Sequence, residues 1–194
     1  MIIGLMGKIG SGKSTIANYL QGTHNYTEYS FADPLKKIGL ILGFSHDQLY
    51  GTQEQKLAIH QHWRISGRTF MQRLGTAFRD INAIIPELHT EKGIWIDLLK
   101  IKVQNCEHIV ISDVRFQDEA NAVKELGGII ISISRENRES KSEQSYVSQM
   151  RSHESETSLE KIVPDYVIVN NSSVEDAYTE LESILALEEM YKQI

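Results

Sequence analysis

One cysteine in 194 residues, Cys106, rules out an intrachain disulfide and any metal site built on several thiolates. That scarcity suits a reducing compartment, and Cys106 itself is expected to be a small buried side chain at the edge of a strand. Net positive charge is also absent. Twenty Lys and Arg stand against 26 Asp and Glu, a formal charge of −6, so no global field draws the chain to nucleic acid or to an anionic membrane. Any anionic ligand must be held by local cations. Long apolar runs are missing as well: the N-terminal stretch Met1 to Met6 is too short to span a bilayer and has no basic segment ahead of it. It reads as a buried strand and neither a signal peptide nor an anchor, and the chain is expected to be cytoplasmic, with no membrane and no nucleic acid among its partners. Its length and 41% hydrophobic content fit a single domain with a full-sized core.

What is present is concentrated just after that strand. Gly7-Lys8-Ile9-Gly10-Ser11-Gly12-Lys13-Ser14 fills every fixed position of G-x-x-x-x-G-K-[ST] and runs into the helix-compatible stretch Ser14 to Leu20. In such a loop the glycines let backbone N–H groups turn inward around the α- and β-phosphates. Lys13 reaches the β/γ oxygens, and the Ser14 hydroxyl is placed to ligate Mg²⁺. Gly10, Ser11, Gly12, Lys13, Ser14 and Thr15 are therefore candidate ligands of a nucleoside triphosphate.

Three further runs have the character of strands covered on both faces: Ile109 to Ser112, Ile129 to Ile133, and Tyr166 to Val169. Helical patterns lie between and after them, at Gln117 to Leu126, closed by Gly127-Gly128, and at Val174 to Leu187, with Ser172 or Ser173 as N-cap. Strand–helix alternation behind a P-loop implies an α/β fold, a three-layer sandwich with a doubly wound parallel sheet and its ligands at the carboxyl edge. Nearly ninety residues separate the first helix from the strand at 109, too many for one crossover. We expect them to form a mostly helical substrate-side insertion over 34–103, interrupting a core of 1–33, 104–134 and 161–194. Its helices are expected at Leu35 to Leu42, opened by Asp33 as N-cap and Pro34 at the first helical position, at Arg68 to Asn82, and at Ile94 to Val103. Over 135–160 the composition turns to Arg, Glu, Ser, Gln and Lys, which reads as a short mobile lid.

Asp113 follows the strand at 109 as the carboxylate of a Walker B strand end does, placed to hold Mg²⁺ directly or through water; an aspartate there also serves as a helix cap. Arg115 on the same rim can pair a phosphate bidentately or form a surface ion pair with Asp118 or Glu119. Lys8 is a second cation beside Lys13, facing an acceptor or solvent. Arg68, Gln72 and Arg79 recur at spacings of four and seven and share one helical face, with Arg73 off it. Trp95 either walls a base pocket or fills the core. Arg135 and Arg138 are lid cations that could close over a transferring phosphoryl group, and His153-Glu154-Ser155-Glu156 is a poor metal site.

Several segments together resemble one family, the viral and bacteriophage-type deoxynucleoside monophosphate kinases of the P-loop nucleotide-kinase superfamily. They are Gly4 to Ser14, Phe31-Ala32-Asp33-Pro34-Leu35-Lys36, Arg68-Thr69-Phe70-Met71-Gln72-Arg73-Leu74-Gly75-Thr76, Trp95, Ser112-Asp113-Val114-Arg115-Phe116-Gln117-Asp118-Glu119, His153 to Glu156, and Asp165 to Asn171. The resemblance implies ATP and Mg²⁺ as cofactors and a deoxynucleoside 5′-monophosphate as acceptor, converted to the diphosphate. It implies that Lys8, Arg68, Gly75, Trp95, Asp113, Arg115 and Glu119 line the deoxynucleotide pocket. Asp33 and Gln72, inside matching segments, are assigned to the same pocket. Lys13, Asp113 and Arg115 carry catalysis, Ser14 and Asp113 the metal, and Asn170 lies near the adenine. A viral chain would act in the host cytoplasm. A homodimer is compatible with the sequence and not specified by it. The opening Gly4 to Ser14 is also similar to that of dephospho-coenzyme A kinase, which the Arg68 to Thr76 segment fits poorly. A GTPase-like switch would require an Asn-Lys-x-Asp segment, which the chain lacks.

Overall fold

The computed structural model describes residues 1–104, 106–135 and 158–192. The chain divides into two compact units, Met1–Tyr29 with Asn105–Ile194, and Ser30–Gln104. Most of the expected lid falls at 136–157, so Arg138 and the His153 to Glu156 run lie outside the described residues.

The first unit is a five-stranded sheet in the order β2-β3-β1-β4-β5: Thr27–Tyr29, Ile109–Ile111, Ile2–Met6, Ile129–Ser134 and Tyr166–Val169. Every pairing is parallel. In β1, β3 and β4 the apolar runs are covered on both faces, which removes the need for polar alternation, whereas on the edge strand β5 Val167 and Val169 are exposed, so the expected double cover fails there. Ile3, Leu5, Val110, Ile131, Ile133 and Ile168 pack with α1 (Lys13–His24) and α9 (Val174–Tyr191) through Ile16, Ala17, Leu20, Leu181 and Leu185. Beyond the opposite face lies α8 (Gln117–Glu125), which packs on β1 and β4. Gly4 faces that side, where a Cβ would stand 2.7 Å from Ile130 and 3.0 Å from Val114, so only glycine admits the close approach. A parallel sheet with helices on both faces is the expected α/β sandwich.

Two local expectations differ here. Strand β2 was not legible as a strand: Thr27 and Glu28 are exposed, and the segment is held in the sheet by its ladder to β3. Cys106 is half-buried in the turn leading to β3, not enclosed. Helix α9 starts at its Ser173 cap, which accepts from Asp176 N–H, and runs to Tyr191, a turn past Leu187.

The second unit is helical: α2 (Asp33–Ile41), α3 (His46–Tyr50), α4 (Gln53–Leu57), α5 (Gly67–Arg79), α6 (Ile81–Ile84) and α7 (Ile94–Val103). Asp33 is not the N-cap of α2 but its first helical residue. Ser30 organises the turn instead, its hydroxyl accepting from Ala32 N–H at 3.2 Å and its carbonyl from Asp33 N–H at 3.1 Å. The stretch expected as one helix to Asn82 breaks at Asp80 (φ −103°, ψ 38°), where 3₁₀-type bonds from Asp80 N–H to Ala77 and from Ala83 N–H to Asp80 tighten the turn. The short α3 and α4 are each opened by a reciprocal capping box, Ser45 with Gln48 and Thr52 with Gln55. Among the described residues, no helix is long and apolar enough to cross a membrane.

Candidate active site

The phosphate loop leaves the carboxyl end of β1 and lies on the ends of its neighbours. Gly7 passes so close to β4 that a Cβ there would overlap the Ile133 carbonyl. Gly12, at φ 107°, is the N-cap of α1 and offers no side-chain acceptor, and the first turn of α1 contains no acid. An ordinary helix start carries a capping oxygen or a carboxylate there. This start has no side-chain cap, a feature it shares with helix-terminal phosphate sites. The Lys13 ammonium folds back onto the loop, donating to the Gly7 carbonyl at 2.6 Å and to the Lys8 carbonyl at 2.8 Å. Lys8 is exposed, and its carbonyl also accepts from Ser11 N–H at 3.2 Å. Ser14 is exposed and Thr15 half-buried at the start of α1.

β3 pairs with β1, so its exit lies beside the phosphate loop, and a bond of 3.1 Å from Val114 N–H to the Leu5 carbonyl ties the two together. Asp113 and Arg115 sit on this exit, both half-buried. Glu119, one turn into α8, is only 2% exposed, and its Oε2 accepts from Arg115 N–H at 2.8 Å and Phe116 N–H at 3.2 Å. These two bonds fix the backbone that carries Arg115. Asn170 follows β5, and its side-chain amide donates to the Ser11 carbonyl at 2.9 Å. Arg135 is exposed just past β4.

In the helical unit, α5 carries Arg68, Gln72, Gly75 and Arg79. Arg68, Gln72 and Arg79 are half-buried while Arg73 is exposed, as the face analysis anticipates. The Arg68 guanidinium donates to Gln53 Oε1 at 2.6 Å. Ser66 caps the helix by accepting from Thr69 N–H at 3.1 Å, which places Arg68 in the first turn. Gly75 comes within van der Waals range of α2, a Cβ there standing 3.2 Å from Leu35. Trp95, 6% exposed on α7, donates its indole N–H to the Gly75 carbonyl at 3.3 Å and meets Phe78 edge-on. Asp33 accepts from Lys36 at 3.2 Å, and the Lys36 ammonium sits 4.8 Å from the Tyr50 ring centre.

Residues 44–181 match the family model described as deoxynucleotide monophosphate kinase. This chain belongs to that family. A protein of Acanthamoeba polyphaga mimivirus that bears the same activity in its name is 41% identical, over 94% of this chain and 95% of its own length. Two solved structures share the fold: the Thermus thermophilus protein TT1252 (21% identity, TM-score 0.53, 96% of each chain) and shikimate kinase from Bacteroides thetaiotaomicron (10%, 0.53, 97% and 98%). The chain is therefore a nucleotide kinase, a phosphotransferase with a P-loop kinase fold, as the resemblance in its sequence implied.

In this deoxynucleotide monophosphate kinase the candidate residues fall into one group within each unit. The sheet unit brings together Gly10 to Thr15, Asp113, Arg115, Glu119 and Asn170, while the helical unit groups Arg68, Gln72, Gly75 and Trp95 on α5 and α7. Sequence reasoning missed Gln53, the partner of Arg68, and Ser66, the cap that starts α5. The Ser66-Gly67-Arg68-Thr69 order was a legible capping signal, whereas nothing in the sequence links Gln53 to Arg68.

Proposed function

We propose that this kinase transfers the γ-phosphoryl group of ATP to the 5′-phosphate of a deoxynucleoside monophosphate, yielding ADP and the diphosphate. The observation that carries the reading is the Lys13 ammonium seated on the Gly7 and Lys8 carbonyls at an uncapped helix start, in a chain of this family. Those carbonyls hold the ammonium where β- and γ-phosphate oxygens replace them when ATP binds. An acceptor phosphate oxygen attacks the γ-phosphorus, the bond from that phosphorus to the β–γ bridging oxygen breaks, and its electron pair leaves on ADP. The acceptor is an anion at neutral pH, so the protein supplies alignment and charge neutralisation rather than a strong base.

Lys13 and the N–H groups of the loop neutralise the donor phosphates. Arg115, held by Glu119, offers a planar fork to charge developing on the transferring group. Arg68, Gln72, Gly75 and Trp95, with Asp33 and Lys8, are assigned to the acceptor. Ser14 and Asp113 fit Mg²⁺: both are hard oxygen donors, Ser14 in the first turn of α1 after the phosphate loop and Asp113 at the exit of β3, the strand next to β1. When bound, the ion supplies charge to the phosphate oxygens.

A coupled ADP-release assay with Mg-ATP against the four deoxynucleoside monophosphates, their ribonucleotide counterparts and dephospho-coenzyme A tests the assignment. Turnover with deoxynucleotides is expected. Turnover with dephospho-coenzyme A alone, or ATP hydrolysis indifferent to acceptor, overturns the acceptor while leaving the P-loop fold intact.

A further inference from the structure

Asn170 was expected beside the adenine, yet its side chain is spent on the phosphate loop. Its Nδ2 donates to the Ser11 carbonyl at 2.9 Å, across 159 positions of sequence. The residue is itself anchored, because its backbone N–H donates to the Ser134 carbonyl at 2.8 Å and so extends the β4–β5 ladder by one step. The preceding Val169 N–H donates to Glu180 Oε2 on α9 at 3.2 Å. Asn170 therefore reaches the loop from a fixed strand end.

The contact matters because of which peptide it grips. The Ser11 carbonyl and the Gly12 N–H belong to one planar trans peptide and point in opposite directions. Whatever holds the carbonyl against Asn170 aims the Gly12 N–H away from Asn170. That peptide turns about Ser11 ψ and Gly12 φ, and Gly12, at φ 107°, resists a flip poorly because glycine crosses such regions without steric penalty. Gly12 also approaches Asn170 so closely that a Cβ on it would overlap Nδ2. A side chain at Gly12 would therefore displace the amide from this contact.

We infer that Asn170 is a positioning residue for the phosphate loop: by holding the Ser11 carbonyl it fixes the Ser11–Gly12 peptide with its N–H facing the triphosphate, and so sets triphosphate affinity independently of the base. The inference rests on the triphosphate-binding reading above and is independent of the acceptor. It predicts that the triphosphate moiety, whether or not a nucleoside is attached, feels the loss of the amide.

The test compares Mg-ATP and Mg-tripolyphosphate binding to the wild type, Asn170→Ala and Asn170→Asp by calorimetry, with no acceptor present. Asn170→Ala is expected to weaken both ligands by the same factor, about tenfold, the equivalent of one hydrogen bond. Asn170→Asp, isosteric and so preserving the packing, sets an anionic acceptor against a carbonyl beside an anion site, and is expected to weaken both by roughly a hundredfold. In turnover the KM for ATP rises while the KM for the acceptor does not, a split that general loss of structure would not produce. A loss confined to ATP, with tripolyphosphate binding unchanged, overturns the inference and returns Asn170 to the adenine. Unchanged binding of both ligands in Asn170→Asp also overturns it.

Discussion

In the sheet unit Ile3, Leu5, Ile131 and Ile133 are at most 1% exposed, whereas in the helical unit Ile41, Ile59, Trp63 and Ile84 stand 84%, 60%, 45% and 61% exposed. The two regions are held by different physics. Parallel strands bury their apolar groups on both faces, and each fully buried isoleucine contributes about 1.5–3 kcal/mol relative to exposure. The helical unit has a smaller enclosed set, including Leu35, Phe44, Leu49, Trp95 and Leu99, and its short helices rely on end caps at Ser45, Thr52 and Ser66. A cap contributes about 1 kcal/mol and acts within one turn. The lesson concerns placement. The candidate phosphate loop is seated on the enclosed sheet core, while α5, with its candidate acceptor groups, is started by a serine cap.

The sharpest test separates chemistry from scaffold. Lys13→Ala is expected to lower kcat by about a thousandfold, the scale of losing one preorganised charge at a transferring phosphoryl group, with the unfolding midpoint unchanged. A large fall in the midpoint would show that the phosphate loop shares in the stability of the sheet core and would break the contrast. Leu20→Ala, in the fully buried face of α1, is expected to destabilise the sheet unit by about 3 kcal/mol, read from urea unfolding. A loss below about 1 kcal/mol would contradict a close-packed core.

Glu119→Ala tests the residue on which scaffold and site meet. It strips the acceptor from two backbone N–H groups beside Arg115, so we expect about 2 kcal/mol of destabilisation together with a lower kcat. A loss of stability without a loss of kcat would detach Glu119 from the position of Arg115. Ser66→Ala, at the head of α5, is expected to cost about 1 kcal/mol and to speed hydrogen exchange at Thr69, with less effect on the sheet amides.

The smallest expected effect is at the α1–α9 surface. The Glu182 carboxyl is held below its ordinary 4.5, first by the hydrogen bond from His24 at 2.7 Å and then by that from Tyr19 at 2.8 Å. A depressed carboxylate stabilises the fold above its unfolded value and loses that contribution as pH falls through the lower folded one. The wild type should therefore lose stability faster than Glu182→Gln on acidification below about pH 5. The difference should be slight, since Glu182 is 43% exposed and its pair is screened by solvent. Parallel pH profiles of the two would refute it.

Legibility divides along the same line as stability. Ile109 to Ile111 and Ile129 to Ser134 could be read because a doubly covered strand is apolar at consecutive positions, Tyr166 to Val169 because its residues are aromatic and β-branched although Val167 and Val169 are exposed, and Gly7 to Ser14 because a phosphate cradle needs glycines and a lysine at fixed spacing. β2 could not, since two of its three residues face solvent and only the ladder to β3 makes them a strand. Asp33 looked like a cap because aspartate before proline usually is one; the turn was closed by Ser30, three residues earlier, a choice between nearby side chains that local pattern does not decide. The break at Asp80 was hidden because Ile81 and Asn82 continue the helical pattern.

By itself the sequence determined the parallel α/β architecture, the phosphate loop, the family and the identity of the cations available to it, because periodicity and motif spacing are local properties of the chain. Only the tertiary structure decided that Glu119 grips the backbone of Arg115, that Gln53 accepts from Arg68, and that Asn170 holds the Ser11 carbonyl. Each of these is a hydrogen bond a few ångströms long, and its partners are set by how strand ends and helix starts are brought together rather than by any spacing along the chain.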